Sequence, residues 1–458
     1  MQDKSRKNKK SKTKRKIKVG LDFSFLWYGI SGLSIDTINI YNLLSELPEV
    51  EVIPLVWDSK SRVNEVINPY ENFNNYLKLL GKVPTSRKIK LKTQFYTLLK
   101  LLTKPKAYFL KKEFKGKLLE NFKIFENIKD IHKLEETDWL LIDPSANIFY
   151  EVAKYFPARI LNKIFKIYNK EIPNIAKLDI VIYQYPRFVK FKDAKHIVKI
   201  HDLIPLYYPE EKSAYNTLKF ALDKLISENW DFHYITPTKH VKKELTLYSA
   251  YFKPRTTVIY NTIQEPPKKL YSKEEIYKKL QIPADYKYFI QVGTIQPNKN
   301  HKLTFKAFLE LIKKTEKVKL VLVGGIRLMD KKTKELYNIL KNKGIIIHLA
   351  NIDRKLHFSL IKHAVALLFP SEHEGFGLPP VEALSVGTIP IVKENEVFRE
   401  VIGEKGVYVR DEGDMVKKLT RLLASRPPKK LTIIEEPIQK QKIIEEFGNL
   451  ITQIVNQF

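Results

Sequence analysis

YFIQVGTIQPNKNHKLTFKAFLELIKKTEKVKLVLVGG, residues 288–325, holds two short apolar runs around a stretch with helical spacing. YFIQVGT (288–294) and KLVLVGG (319–325) have the length and branched-aliphatic content of strands buried on both faces. Between them, LTFKAFLELIKK (303–314) places apolar side chains on one helical stripe. A strand, a helix and a second strand of this kind form a right-handed crossover onto a parallel sheet.

Downstream the same texture continues through IIIHLA (345–350), VALLFPS (365–371), IPIV (389–392) and GVYV (406–409). Six strands in about 120 residues is the size of one doubly wound unit. Upstream lies a second series: KVGLDFSFL (18–26), VEVIPLVW (50–57), DWLLID (138–143), DIVIYQY (179–185), HIVKIHDLIPL (196–206), FHYITPT (232–238) and TTVIYNT (256–262). QEPPKKLYS, Gln264–Ser272, interrupts both periodicities with paired prolines and reads as the linker. The expected fold class is α/β, with two Rossmann-like doubly wound domains facing across a cleft. The first covers 17–263, with a basic helical insertion near 60–135, and the second covers 264–430. A C-terminal helix in 431–458 is expected to pack back on the first domain. Ligands of such sheets bind at the carboxyl ends of the strands, so the chemistry belongs in the cleft.

Composition narrows the function. The 458 residues are 44% hydrophobic and 12% aromatic, which excludes a wholly disordered chain. Without cysteine there is no disulfide, thiolate zinc site, iron–sulfur cluster or cysteine nucleophile. A balance of +30 favours anionic partners: nucleic acid, acidic lipid or phosphorylated substrates. Nine of the first sixteen residues are Lys or Arg, and 1–16 reads as a disordered basic tail. Its other reading is an arm touching lipid or nucleic acid. Residues 87–117 hold eleven Lys/Arg and one acid, Glu113, with Phe95, Leu98, Leu99 and Leu102 at helical spacing. That pattern suits either an anionic membrane surface or a helix packed on its own domain. No run approaches the ~18 apolar residues of a membrane-spanning helix. The expectation is a cytoplasmic protein, peripheral at the inner face of the plasma membrane. No RRM, KH or helix-turn-helix signature accompanies the charge, so no nucleic-acid partner is expected.

The chemistry concentrates in FPSEHEGFGLPPVEALSVGTIPIV (369–392). A strand ends at Ser371, a glycine-spaced turn follows, and Pro379 and Pro380 can open a helix. Amides from Gly375 to Leu378 beside a helix N-terminus suit a phosphate. Glu374 and Glu382 bracket the turn. Carboxylates so placed repel phosphate, but they can accept hydrogen bonds from hydroxyls attached to it, a sugar on one side and a ribose on the other.

These residues resemble the signature of the family 4 retaining glycosyltransferases, which have the two-domain GT-B fold. EGFGLPPVEAL matches nearly residue for residue, and the similarity is strong from about 288 to 410. The resemblance implies that Glu374 holds hydroxyls of the donor hexose. It gives phosphate and hexose to Phe376, Gly377 and Leu378, and the ribose to Glu382. VGTIQPNKNH (292–301) resembles the diphosphate turn, which makes Lys299 the cation that neutralises the leaving diphosphate and puts Thr294 and Asn298 beside the donor. Many members carry an arginine at the place of Thr294. The nearer subgroup, O-antigen mannosyltransferase-like enzymes, has arginine where Asn298 stands. Either Asn298 contributes only hydrogen bonds, or Arg327 or Arg354 substitutes. IVKIHDLIPLYYPEE (197–211) resembles the His-Asp-x-x-Pro segment, and His201 would contact the sugar's 6-hydroxyl. ITPTKHVKKEL (235–245) resembles a strand-to-helix turn lining the cleft, with Thr236 and Thr238. The loop with Gly29 and Gly32 would approach the acceptor, joined by Tyr183, Tyr185 and Arg187 from their position alone.

The resemblance implies transfer of a hexose from a nucleotide-diphosphate sugar to a saccharide, lipid-linked or protein acceptor. The alternative is a non-catalytic nucleotide-sugar-binding subunit. No Asp-x-Asp motif occurs, so neither a metal nor another cofactor is expected.

Overall fold

A computed structural model describes residues 15–24, 32–57, 107–109, 139–142, 171–263, 265–424 and 439–456. The expectations for residues 1–14, for Gly29 and for the greater part of 60–135 lie outside the described residues.

Among the described residues the N-terminal half carries an eight-stranded sheet. Its spatial order is Thr256–Val258, His233–Thr236, Lys195–Lys199, Ile180–Tyr183, Ile17–Asp22, Val50–Trp57, Leu140–Ile142 and Ala107–Phe109. Every pairing is parallel except the last, where Ala107–Phe109 runs antiparallel at the edge. This strand falls inside the stretch read as a basic helix. Tyr108 and Phe109 suit a pleated surface, and pairing along Leu140–Ile142 supplies what the helical spacing did not anticipate. A second difference concerns HIVKIHDLIPL. Its strand stops at Lys199, and Ile204–Tyr207 is a short helix with proline in its first turn, where proline fits.

The C-terminal half forms a six-stranded, all-parallel sheet: Ile346–Leu349, Val318–Val323, Lys287–Val292, Leu367–Phe369, Pro390–Lys393, Val407–Val409. In sequence order this is 3-2-1-4-5-6, so the connections diverge between Lys287–Val292 and Leu367–Phe369. A crevice opens at the carboxyl ends of those two strands. The turns leaving them, 293–300 and 370–377, are the ones singled out in the sequence. Strand interiors such as Phe289, Ile290, Leu320 and Leu368 are fully buried, which is why these runs read as continuously apolar.

The helix Lys440–Val455 crosses to the other half. Ile443, Phe447, Leu450 and Ile451 bury against the helix Gly32–Ser45, in one cluster with Ile38 and Leu44. Gly448 lies so close to Leu47 that a Cβ there would sit 3.1 Å from Leu47 Cδ2. Among the described residues no helix is long and apolar enough to cross a membrane.

Burial depresses four histidines: His196 and His301 to about 3, His201 and His233 to about 4. A histidine kept neutral in the fold but free to protonate near 6.5 when unfolded stabilises the fold above that pH. The contribution drains away as pH falls from 6.5 towards the folded value, at up to about 1.4 kcal/mol per pH unit for each fully buried one. Asp202, raised to about 6 chiefly by burial, works in the opposite direction between its ordinary 3.8 and 6. His240, raised by its hydrogen bond to Glu244, also works against them. Four groups outweigh two, so thermal unfolding should show Tm falling from pH 7 to pH 5. A Tm that holds level or rises over that range would contradict the buried neutral state of these rings.

Candidate functional site

The turn 293–300 is built by two bent residues and a short helical turn. Strand Lys287–Val292 ends at Gly293, Pro297–Lys299 makes one tight turn, and Asn300 adopts φ 47°. The Asn300 side chain accepts from Leu303 N and caps the helix His301–Leu311. Lys299 is thereby lifted into the crevice. Its Nζ lies 2.5 Å from Glu374 Oε1 and 4.8 Å from the centre of the Phe369 ring. Both side chains are largely buried, at 18% and 9% exposure, so this pair is better insulated from water than a surface ion pair.

Glu374 comes from the opposite turn, held in place by polar stitches. Glu372 N donates to Asn298 O at 2.8 Å, and Lys393 Nζ reaches both Glu372 oxygens at 2.6 Å. Asn298 is 3% exposed, accepting from Gln296 and donating to His373 O. It joins the two turns and brings no charge to the place where the family resemblance leads one to expect arginine. Of the two arginines weighed as substitutes, Arg327 pairs with Glu211 at 3.1 Å, and Arg354 lies over the Phe358 ring with Nη1 3.9 Å from Glu382 Oε1.

Beyond Glu374 the chain passes Gly375, Phe376 and Gly377 into the helix Leu378–Ser385. Gly377 sits at φ 82°, a conformation costly for any side chain, and a Cβ there would strike the Phe398 ring. Phe376 is 4% exposed and anchors the turn. Glu382, in the same helix, is buried and bonded to His357 Nε2 at 2.9 Å. Burial works to raise its carboxyl, but His357 and Arg354 outweigh it and hold the group below its usual range. Thr294 follows Gly293 and is only partly buried, at the same mouth.

The N-terminal half closes on this loop. A Cβ on Gly375 would lie 1.8 Å from His201 O, and Thr238 Oγ1 donates to Gly375 O at 3.0 Å. His201 therefore faces the loop through its carbonyl, while its ring Nε2 lies 3.1 Å from Gln184 Oε1. Behind it, Lys199 donates to both Asp36 oxygens at 2.7–2.8 Å and to Asn261 at 2.7 Å, a buried brace between strand and helix.

Glu374, Lys299, His201, Gly377 and Phe376 thus converge, with Leu378 opening the helix behind them. The acceptor-side residues do not. Tyr183 is fully buried and its hydroxyl donates to Val189 O. Arg187 is 7% exposed and pairs with fully buried Asp22 at 3.2 Å. Both belong to the core of the N-terminal half and not to an open wall, because a strand end rich in aromatics and one cation also satisfies an interior ion pair. Gly32 begins its helix with open space where a Cβ would stand. Asp202 went unremarked as a site residue: it lies 3.1 Å from the same Gly375 position, and burial followed by the nearby Glu374 charge raises its carboxyl to about 6. The raised carboxyl could have been found only from the approach of the two halves.

Residues 272–440 match the model of the family described as glycosyl transferases group 1. The O-antigen chain mannosyltransferase RfbU of Salmonella typhimurium is 26% identical over 218 residues, covering 47% of this chain and 57% of that one. The serotype-specific mannosyltransferase WbdA of Escherichia coli is 34% identical over 140 residues, covering 30% and 17%. The chain therefore spans little more than half of the first relative and a sixth of the second. Among solved structures, WaaG, a glycosyltransferase involved in lipopolysaccharide biosynthesis, superposes with a TM-score of 0.53 at 12% identity, covering 95% of this chain and all of that one. A variant of S. aureus TarM, solved with fondaparinux, α-GlcNAc-glycerol and UDP, gives a TM-score of 0.56 at 11% identity, covering 95% and 99%. At such identities the likeness speaks for the fold, and that fold is GT-B.

Proposed function

We infer, from a GT-B fold whose residues 272–440 match the glycosyl transferases group 1 model and from similarity to O-antigen mannosyltransferases, a retaining hexosyltransferase of surface polysaccharide or glycoconjugate synthesis. Its donor is a nucleotide-diphosphate sugar, with GDP-mannose the leading candidate given the mannosyltransferase relatives. Its acceptor is a saccharide, free, lipid-linked or on a protein.

The observation that carries this reading is the meeting of Lys299 and Glu374 at the sheet's switch point, beneath the His201 carbonyl. Diphosphate oxygens would take Lys299 and the amides after Glu374, and hexose hydroxyls would take Glu374. Glu382 would receive the ribose. As the bond to the hexose breaks, charge grows on the diphosphate, and a fixed ammonium stabilises that state more than the ground state. Retention needs either a carboxylate nucleophile beneath the hexose or same-face attack. With Glu374 given to hexose hydroxyls and no other acid in a motif that would serve as nucleophile, the reading is same-face attack, a diphosphate oxygen accepting the incoming hydroxyl's proton. Positioning and charge stabilisation then supply the rate.

A nucleotide-sugar panel tests this through thermal stabilisation and slow donor hydrolysis. Stabilisation by no member of the panel overturns it. Turnover in excess EDTA should equal turnover without it, and abolition by EDTA would show that a metal shares the diphosphate's charge. The second reading, a nucleotide-sugar-binding subunit without turnover, is favoured by Asn298 being committed to linking two turns. It predicts donor binding with no hydrolysis. A peripheral site at the inner membrane face belongs to the same proposal, and anionic vesicles at low salt would test it.

A further inference from the structure

With Tyr183 and Arg187 in the core, the acceptor needs another wall. The segment after His201 and Asp202 supplies one. Helix Ile204–Tyr207 buries none of its side chains and carries Tyr207 across to the C-terminal half. The Tyr207 ring lies parallel to that of His373, centres 4.1 Å apart and planes 5° from parallel, and Tyr208 meets the same ring edge-on at 5.9 Å. Tyr207 is nonetheless 44% exposed, because His373 covers only one side of it. Its hydroxyl donates to Glu244. Tyr208 is pushed up to about 12, by burial first and then by surrounding carboxylates including Glu372 and Glu210, so its hydroxyl stays a neutral donor.

Flat aromatic faces with hydroxyl and carboxylate edges match a pyranose, which offers an apolar C–H face and a polar rim. Location decides which sugar. His373 precedes Glu374 directly, so their α-carbons are about 3.8 Å apart. An attacking hydroxyl must come within about 3–3.5 Å of the hexose carbon, and an acceptor on this rim starts one residue away from the hexose's carboxylate. We propose that Tyr207, Tyr208 and His373 form the subsite for the terminal sugar of the acceptor saccharide. The proposal rests on the transferase reading above, and it places the acceptor at the seam of the two halves.

The test is saturation-transfer NMR on the full chain with GDP present and α-linked mannobiose as the probe. The wild type should pass saturation to the sugar protons. Tyr207→Ala should weaken mannobiose about tenfold, and Tyr207→Phe, which keeps the stack, by no more than about threefold. GDP affinity should stay the same in all three. No saturation transfer in the wild type, or equal mannobiose affinity in Tyr207→Ala, overturns the subsite. So does a parallel loss of GDP affinity, which would make the stack a clasp between halves. Failure of the transferase reading has a separate signature: no nucleotide sugar on the panel binds, whatever mannobiose does.

Discussion

Glu374→Ala should lower kcat/KM for the nucleotide sugar about 10²–10³-fold, the scale of removing one preorganised group from a transition-state site. The chain should still fold, since Glu374 ends in a turn whose shape is set by Glu372, Asn298 and Gly377. What distinguishes this from a generic loss is the behaviour of Lys299. Without ligand the two side chains satisfy each other at 2.5 Å, so a diphosphate must draw the ammonium away from its carboxylate. In Glu374→Ala that competition is gone. A bare nucleoside diphosphate should therefore bind at least as tightly as to the wild type, while the sugar nucleotide loses its advantage over it. Lys299→Ala should give the opposite pattern, with both ligands weakened together. If Glu374→Ala retains transfer within about fivefold of the wild type, the hexose is held elsewhere and the mechanism must be redrawn.

The contrast between the halves explains how far the sequence could be read. Strand Val50–Trp57 coincides with its apolar run, and the six strands of the C-terminal sheet fall within theirs or overrun them by one residue at one end, because a strand buried on both faces leaves a continuous signature. The switch-point turns were legible too, since glycine and proline mark them directly. Legibility fails where meaning depends on what comes from the other half. Asp36, Lys199 and Asn261 are far apart in sequence and form one buried brace, and no spacing rule could join them. Tyr183 and Arg187 illustrate the converse. Near a strand end the same residue types serve a cleft wall or an interior, and only burial decides. Tyr207 and His373 meet solely because the two sheets face each other.

That meeting of halves underlies the second large effect. Gly375→Ala should reduce kcat by about 10²-fold while leaving nucleotide binding within a few-fold of the wild type. The reason is contact rather than backbone strain. An added methyl would stand 1.8 Å from His201 O and 2.9 Å from its carbon, with Asp202 Cβ at 3.1 Å. Two of the three contacts are backbone and the third is a first side-chain atom, so no rotamer change relieves them. The halves must move apart by more than about 1 Å, which is enough to misalign groups that act together across a cleft. The donor contacts proposed on the C-terminal side, Lys299 and the turn amides, would move with the loop and be spared. Thr238→Val provides a graded companion: it removes the hydroxyl that donates to Gly375 O without adding bulk, and should slow transfer less. If Gly375→Ala turned over at the wild-type rate, the close approach of His201 would be incidental and the donor loop would act alone. If it lost nucleotide binding as well, the loop itself would have been distorted. A kcat-selective loss is what a site assembled by closure demands, because on the proposed reading the donor's phosphates would be held by one half and its hexose would react against the other.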